Sequence, residues 1–522
     1  MLDVLIIGSG PHALTLASLV NIQMHTSFIP AGQMTEQQEK KSTTSESNVC
    51  PPLSVLVVDT YGEWAGLWES QFTALHIPHL RSHTLVHTDP INKNALQEFV
   101  LRYDRSAELH SLPDRVHILD ENAFFNDMRL GKRERRRLNV TSTLKKSLSF
   151  SLPGTKLSVD FFKEQVKRYK LDKILLKGTV ERIIPVTGDT KGMGEEQEVV
   201  LATGPTRVQM SNVPEWAKSI EESFPEGRLQ HTVHLMHKLS NSKQRLQEMD
   251  CQGQEETSSG QVCETGQRVM VVGGGLTSAH VVSIALQQGA DHVTWVMRKH
   301  LQLKQFDVGD VESLVGRYSH VEHGIKMDGQ AYLRQFYNER SLHKRLAMIR
   351  QARKGGAITP EAYIHLQPFI QSGQVELKTF CQVNEASWCY RSQSWNLSLS
   401  TGDHWTGDRI WLATGCKLDV KQDPLLSDVM KHFPIQVIDG WPCILESLQW
   451  TEGCPLYLMG QYSALQVGPH AVNLAGGQAA SVRIAKDIMH HQMQDRGQDS
   501  EMGKGKSKTE EYIQQMKGLF WL

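Results

Sequence analysis

Val4-Leu5-Ile6-Ile7-Gly8-Ser9-Gly10-Pro11-His12-Ala13, close to the start of the chain, is the stretch that decides the fold. Its apolar run is typical of a strand buried on both faces of a parallel sheet, and the glycines predict a tight turn into a helix. In such a Gly-x-Gly-x-x-Ala turn, backbone N–H groups and a helix N-terminus can approach a pyrophosphate closely. One copy alone fits an ordinary strand–turn–helix corner equally well.

A second copy of this pattern lies far downstream. Val269-Met270-Val271-Val272 is followed by Gly273-Gly274-Gly275-Leu276-Thr277-Ser278-Ala279, by an apolar helix to Leu286, and by a strand from His292 to Met297. Two such turns predict an α/β protein with two Rossmann-like dinucleotide-binding domains, each a three-layer arrangement of helices around a parallel sheet.

The two copies differ at the end of their second strand. In the first copy, the strand from Leu53 to Val58 ends in Asp59, whose carboxylate could accept hydrogen bonds from a ribose. In the second copy the strand ends in Arg298 and Lys299, and cations at that edge can accommodate a 2′-phosphate. We therefore predict FAD at the first turn and NADPH at the second. The alternatives are that Asp59 merely ends a strand and that the two cations are only solvated.

Other residues are candidates for contact with a flavin. Trp64 and Trp68 flank Gly66 and could wall a slot for a flat ring, although aromatic residues are by default part of a core. Near the end of the chain a strand leads into Gly460-Gln461, and backbone donors at a later helix start could bind the ring's pyrimidine edge. The predicted cofactor-binding residues are Gly8, Gly10, Pro11, His12, Asp59, Trp64, Trp68, Gly273, Gly275, Thr277, Ser278, Arg298, Lys299, Gly460, Gln461, His470 and Asn473.

Composition excludes several classes of protein. The 522 residues include 56 basic and 57 acidic side chains, so the formal net charge of −1 does not favour a nucleic acid or a membrane surface as the main partner. The 8 cysteines form no Cys-x-x-Cys pair, which argues against a zinc site and a redox-active dithiol. Without a signal peptide or a long apolar run, we expect a cytoplasmic protein that lacks a transmembrane segment.

The domain organisation follows from the positions of these patterns. We predict an FAD-binding domain whose first part spans residues 1–230, with a polar insertion at 23–52. A polar linker at 231–267 precedes an inserted NADP-binding domain at 268–415, which carries a helical insertion at 300–371. The return segment of the discontinuous FAD domain spans 416–488, and a polar tail spans 489–522.

The ordered set of motifs resembles the class B flavin monooxygenases. The motifs are Gly8-x-Gly10-x-x-Ala13, Asp59, Gly66-Leu67-Trp68, Ala202-Thr203-Gly204-Pro205, Gly273-x-Gly275-x-x-Ser278, Ala413-Thr414-Gly415 and Gly460-Gln461. From Met1 to Ala485 the chain is similar to the flavin-containing monooxygenases and to the lysine and ornithine N-hydroxylases. The resemblance implies that NADPH reduces FAD and that a C4a-hydroperoxide transfers one oxygen atom of O₂ to a small nitrogen or sulfur nucleophile.

Some motifs of these families are missing. The asparagine that many relatives place beside the flavin and the lysine of the N-hydroxylases have no counterpart, and Arg81, Ser82 and His83 occupy that neighbourhood. No catalytic residue is identified, because this chemistry mainly needs a dry site. Two further interpretations stay open: an NADPH-dependent flavin oxidase or reductase that releases H₂O₂, and a flavin-binding regulatory protein without turnover.

Overall fold

The computed structural model describes residues 2–22, 53–110, 151–186, 197–204, 210–239, 261–303, 319–322, 325–353 and 357–497. The predicted polar insertion at 23–52 lies outside the described residues, as do Pro205 and most of the predicted linker and tail. No helix in the described part of the chain is both long enough and apolar enough to cross a membrane.

Fourteen strands form the two main sheets and a smaller antiparallel sheet. They are β1 (Val4–Ile7), β2 (Val55–Asp59), β3 (Leu175–Lys177), β4 (Glu198–Leu201), β5 (Leu229–His231), β6 (Arg268–Val272), β7 (His292–Val296), β8 (Val375–Lys378), β9 (Val383–Cys389), β10 (Ser394–Leu399), β11 (His404–Gly407), β12 (Arg409–Leu412), β13 (Gln449–Thr451) and β14 (Cys454–Leu458).

The helices are α1 (Pro11–Ile22), α2 (Gly66–Ala74), α3 (Ala95–Arg102), α4 (Thr155–Arg168), α5 (Glu215–Lys218), α6 (Leu276–Gln287), α7 (Gly329–Asn338), α8 (Leu342–Ala352), α9 (Pro360–Gln371), α10 (Ser427–His432), α11 (Ala464–Val467) and α12 (Leu474–Gly497). The described residues also form a helix at 232–239, directly after β5. Short strand pairs and hairpins are Leu109–His110 with Leu152–Pro153, Met210–Ser211 with Cys416–Lys417, Gln302–Leu303 with Ala357–Ile358, Ser319–Glu322 with Ile325–Asp328, and Val437–Ile438 with Trp441–Pro442. Single 3₁₀ turns lie at Ser106–Glu108, Leu171–Ile174, Val420–Gln422, Pro424–Leu426 and Gly460–Ser463.

The first sheet has six strands in the order β13-β14-β4-β1-β2-β3, parallel except for the β13–β14 pair. Strands β1 and β4 are almost wholly apolar and lie inside the sheet, as expected for strands covered on both faces. Helix α1 packs against α12, which returns from the far end of the chain. Strands β13 and β14, which come from residues 449–458, complete this sheet on the side of β4.

The second sheet has five strands in the order β8-β7-β6-β12-β5, all parallel. Helix α6 follows β6 and packs on it, and the antiparallel sheet β9-β10-β11 joins β8 to β12. The chain is thus a mixed α/β protein with parallel-sheet cores. The predicted boundary at residue 230 falls inside β5, which lies in the second sheet.

The helical insertion connects the two sheets. The insertion begins after β7, a strand of the second sheet. Nevertheless, Phe336 of α7 and both Leu346 and Ile349 of α8 are buried in the core of the first sheet. Helix α9 instead packs against α6 and β8 of the second sheet. One insertion therefore contributes apolar side chains to both cores.

Candidate functional site

The first glycine turn is held by the strands on either side of β1. The N–H of Gly8 donates to the carbonyl oxygen of Val58 (2.8 Å), and the N–H of Ala202 donates to the carbonyl oxygen of Ile7 (2.8 Å). Gly8 has φ of +104°, and a Cβ there would lie 2.6 Å from the carbonyl oxygen of Ala202. A Cβ on Gly10 would meet nothing within 4 Å. The fold therefore requires the first glycine, whereas the second faces open space.

The second turn repeats this geometry. The N–H of Gly273 donates to the carbonyl oxygen of Val296 (2.9 Å), and its φ is +143°. A Cβ on Gly273 would lie 2.2 Å from the carbonyl oxygen of Ala413, while one on Gly275 would meet nothing within 4 Å. The buried Trp295 indole fixes the turn by donating to the carbonyl oxygen of Gly273 (2.6 Å). In both sheets, the alanine of an Ala-Thr-Gly segment thus packs against the first glycine of the turn.

A cavity of about 520 Å³ opens at the first turn. It brings together predicted residues that are far apart in sequence, namely Gly8, Gly10, Pro11, His12, Asp59, Trp68, Gly460, Gln461 and Asn473. Apolar residues from several segments, among them Leu67, Phe72, Leu201 and Met459, form much of the remaining wall. The carboxyl ends of the parallel strands and the N-terminus of α1 meet here, which is where open α/β sheets bind their ligands.

A second pocket of about 320 Å³ continues beyond Asp59. It shares Gly8, Asp59, Leu67, Gln71, Thr203 and Asp423 with the first cavity. Residues 178–181, which directly follow β3, form its far wall. These shared residues make the two spaces neighbours, and we refer to them together as the trough, which extends from α1 past the ends of β2 and β3.

The Asp59 side chain lies at the middle of this trough. One carboxylate oxygen accepts from the N–H of Ser9 (3.2 Å) and the other from the N–H of Tyr61 (2.8 Å). These backbone donors fix the carboxylate beside the glycine turn. Each oxygen keeps a second lone pair that can accept a ligand hydroxyl.

His12 joins the first turn to the return segment. Its Nε2 lies 2.9 Å from the carbonyl oxygen of Asn473, and burial lowers the pKa of His12 although this bond acts in the opposite direction. A neutral imidazole therefore donates from Nε2 to that carbonyl. The ring packs on Gly477, where an added Cβ would lie 2.4 Å from Cδ2 of His12. This contact holds the start of α12 against the cavity.

The two tryptophans have different surroundings. Trp68 lines the cavity, stacks on Phe72 at 3.9 Å between ring centroids, and meets the edge of Phe162 at 5.4 Å. Trp64 packs against the core of the first sheet and lines neither of the two spaces, and its buried indole N–H has no hydrogen-bond partner among the described residues. The role of Trp64 in binding stays a prediction.

His470 also lies outside the walls of both spaces. It is buried, and this burial, with Arg483 and Arg353 as lesser causes, lowers the pKa of His470 to about 4. Its ring is therefore neutral near pH 7 and packs beside Gly468. A direct contact between His470 and a cofactor stays a prediction.

The predicted residues of the second turn lie at the carboxyl edge of the second sheet. Ser278 is buried and its hydroxyl donates to the carbonyl oxygen of Gly275 (2.5 Å), whereas Thr277 is exposed at the first turn of α6. Arg298 and Lys299 follow β7 and are both exposed. The arrangement leaves the cations available to an anion at the strand end.

Sequence reasoning missed several residues of the first cavity. Lys417, Asp419 and Asp423 line it, although they follow β12 of the second sheet. The crossing is fixed by pairing of Cys416–Lys417 with Met210–Ser211, and the Tyr462 hydroxyl donates to Asp423 (2.6 Å). Arg81 and Ser82, which the sequence had placed in the flavin's neighbourhood, also line the cavity. The only feature of the sequence that indicates these cavity residues is that they follow recognised motifs.

No group of three or more His, Cys, Asp and Glu side chains in the described ranges is arranged to hold a metal ion.

No family model and no curated protein matches the chain. Solved structures do: the chain is similar to an ornithine hydroxylase from Pseudomonas aeruginosa (14% identity, TM-score 0.55) and to L-lysine 6-monooxygenase from Pseudomonas syringae (14% identity, TM-score 0.56). Each alignment covers 94% of this chain and 99% of the other. An ornithine N-hydroxylase from Kutzneria sp. 744, solved with reduced FAD, NADP⁺ and L-ornithine, aligns over 94% of this chain and 100% of its own (13% identity, TM-score 0.53). At this identity the likeness establishes the fold, and the chain therefore has the fold of the class B flavin monooxygenases.

Proposed function

We propose that the protein is an FAD- and NADPH-dependent oxidoreductase, and that it acts as a monooxygenase on a small nitrogen or sulfur nucleophile. The observation that carries this proposal is the repeated turn, in which one glycine is demanded by the fold and the next faces free space. A turn that served only as a corner would have room for a side chain at the second glycine in both places.

The trough at the first turn fits an elongated dinucleotide. Gly10 and the N-terminus of α1 would receive the pyrophosphate, and Asp59 would accept from a ribose hydroxyl. The pocket beyond Asp59 has room for an adenine, and Trp68 with its stacked partner Phe72 would bound the flavin end. A mononucleotide would leave one of the two adjoining spaces unused.

At the second turn, Gly275 and the N-terminus of α6 would receive the pyrophosphate of NADPH. Arg298, exposed at the end of β7, would bind the 2′-phosphate through charge-assisted hydrogen bonds. The acid at the corresponding strand end of the first sheet would repel that phosphate. The two sites therefore select different dinucleotides.

When bound, FAD would supply hydride acceptance from NADPH and the activation of O₂. The protein's own contribution is to orient the two dinucleotides and to keep water away from the ring. Leu67, Phe72 and Met459 make an apolar wall, and the contact of His12 with Asn473 holds the return segment over the cavity. The nucleophile would be a small molecule, as in the ornithine hydroxylase and lysine monooxygenase that share the fold.

The experiment is an oxygen balance on the purified protein. After the bound flavin has been identified by extraction, NADPH and O₂ consumption are followed with L-ornithine, L-lysine or an aryl methyl thioether as probe. A monooxygenase forms one hydroxylated or S-oxygenated product per NADPH and little peroxide. Stoichiometric H₂O₂ with every probe indicates the oxidase, and bound FAD that NADPH does not bleach indicates the regulatory protein.

A further inference from the structure

Phe380 has two features that folding does not explain. Its side chain is 65% exposed, more than that of Tyr103 (53%) or Tyr390 (54%), and its φ of 51° is left-handed. An exposed aromatic ring gains little from burial, and a bulky residue is an outlier in the left-handed region. A residue held in such a conformation at the edge of a sheet calls for a functional reason.

The equivalent place in the first sheet has no such residue. Gly8 and Gly273 make matching hydrogen bonds to Val58 and Val296, so β2 corresponds to β7 and their neighbours β3 and β8 correspond to each other. After β3, the N–H of Gly178 donates to the carbonyl oxygen of Asp59 (2.9 Å).

In the second sheet, the N–H of Met297 donates to the carbonyl oxygen of Lys378 (2.9 Å), and the carbonyl oxygen of Met297 accepts from Cys381 (3.0 Å) rather than from Phe380. Phe380 is thus one extra residue that bulges out of the pairing. These two hydrogen bonds fix the backbone on both sides of it. The bulge is a defined part of the structure and presents a ring at the carboxyl edge of the sheet.

The position of Phe380 matches the expected course of the ligand. A dinucleotide with its pyrophosphate at Gly275 and its 2′-phosphate at Arg298 runs from the end of β6 to the end of β7. The base attached to that ribose then lies toward the next strand in the sheet order, which is β8. In the first sheet the residues directly after β3 wall the pocket beyond Asp59 in the same way.

We propose that Phe380 is a stacking platform for the adenine ring of NADPH, an inference that rests on the proposed function. The His300 ring, directly after Arg298 and Lys299 in the chain, lies 5.8 Å from the Phe380 ring at an interplanar angle of 45°. An exposed aromatic face binds a purine by stacking, and burial of the ring by the ligand supplies the contact that the folded chain lacks. Phe380 would be a positioning residue, because it touches the adenine and not the nicotinamide.

The test measures binding of 2′,5′-ADP by calorimetry, so it needs no turnover. Phe380→Gly suits the left-handed backbone, and its melting temperature is expected at or above that of the wild type. Its Kd for 2′,5′-ADP should nevertheless rise on the order of tenfold, since stacking of one base contributes roughly that much. Phe380→Trp should keep the wild-type Kd, and so should the matched exposed aromatic variant Tyr103→Ala.

The outcomes separate this inference from the proposed function. Wild-type affinity in Phe380→Gly, together with weakened binding in Arg298→Ala, would overturn the stacking role and leave the NADPH site in place. A wild-type protein that does not bind 2′,5′-ADP would overturn both. The stacking role would be established if Phe380→Gly binds 2′,5′-ADP more weakly at an undiminished melting temperature and Phe380→Trp binds it with the wild-type Kd.

Discussion

Gly8 and Gly10 stand two residues apart in one turn, yet alanine should have opposite effects at the two positions. At Gly8 a Cβ would lie 2.6 Å from the carbonyl oxygen of Ala202, and φ is +104°. A left-handed alanine costs roughly 1–2 kcal/mol, and overpacking against a fixed backbone atom costs roughly another 1–3 kcal/mol. Gly8→Ala should therefore lower the free energy of unfolding by about 2–5 kcal/mol.

Gly10→Ala is the matched variant. Its Cβ would meet nothing within 4 Å, and its φ lies outside the left-handed region. Loss of the glycine's flexibility in the unfolded chain should stabilise the protein by about 0.4–1 kcal/mol. The same methyl group would occupy the space proposed for the pyrophosphate, so FAD affinity should fall about tenfold or more.

Two assays on the same apoproteins distinguish the variants. Denaturant unfolding gives the free energy of unfolding, and titration with FAD, followed by quenching of flavin fluorescence, gives the Kd. The reasoning fails if Gly10→Ala unfolds as readily as Gly8→Ala, or if Gly10→Ala binds FAD as tightly as the wild type. The second result would mean that the open space beside Gly10 is not where the ligand phosphate lies.

Three further predictions follow from other parts of the structure. Arg298→Ala should raise KM for NADPH about tenfold or more and leave KM for NADH nearly unchanged, because a charge-assisted hydrogen bond contributes roughly 1.5–3 kcal/mol. An equal rise in KM for both coenzymes would contradict the contact with the 2′-phosphate. Burial lowers the pKa of His470 from its ordinary value of 6.5 to about 4, so between these pH values the unfolded chain binds a proton that the folded chain does not. The free energy of unfolding should therefore decrease as pH falls from about 6.5 toward 4, and His470 should account for at most about 3 kcal/mol of the decrease. The melting temperature of His470→Asn, measured against pH, should lack this part of the decrease. Asp89 is buried and accepts hydrogen bonds from Arg168 (2.9 Å) and from the hydroxyl of Tyr169 (2.9 Å). Asp89→Ala should therefore lower the free energy of unfolding, measured with denaturant, by about 2–4 kcal/mol. Glu215→Ala, which breaks an exposed ion pair with Lys218, should lower it by under about 1 kcal/mol.

The local parts of the fold could be predicted from sequence. The glycine turns, their strands and their helices depend on residues within a few positions of each other, and β1 with α1 and β6 with α6 lie where the patterns indicated. Asp59 lies at the end of β2, and Arg298 and Lys299 lie shortly after the end of β7, because a strand end fixes the position of the residues next to it. Their contacts with a cofactor stay a prediction.

The contributions that depend on long-range pairing could not be predicted. Leu229–His231 joins the second sheet because of its partner β12, which lies about 180 residues downstream. The pattern of Phe336 and its neighbours indicates a buried face but not which core receives it. Lys417 reaches the first cavity only because its segment pairs with Met210–Ser211. Each of these depends on tertiary contacts that no local periodicity encodes.

The first sheet obtains its strand β14 from a segment that is made long after β4, about 250 residues later. At ribosomal rates of roughly 5–20 residues per second, the β4 edge waits about 10–50 s for its partner. During synthesis the nascent chain therefore exposes an apolar strand edge, which is the kind of surface that recruits chaperones or pairs with another chain. We expect yield in a cell to depend more on that interval than on the stability of the finished protein, and slowed translation between the two strands should increase aggregation.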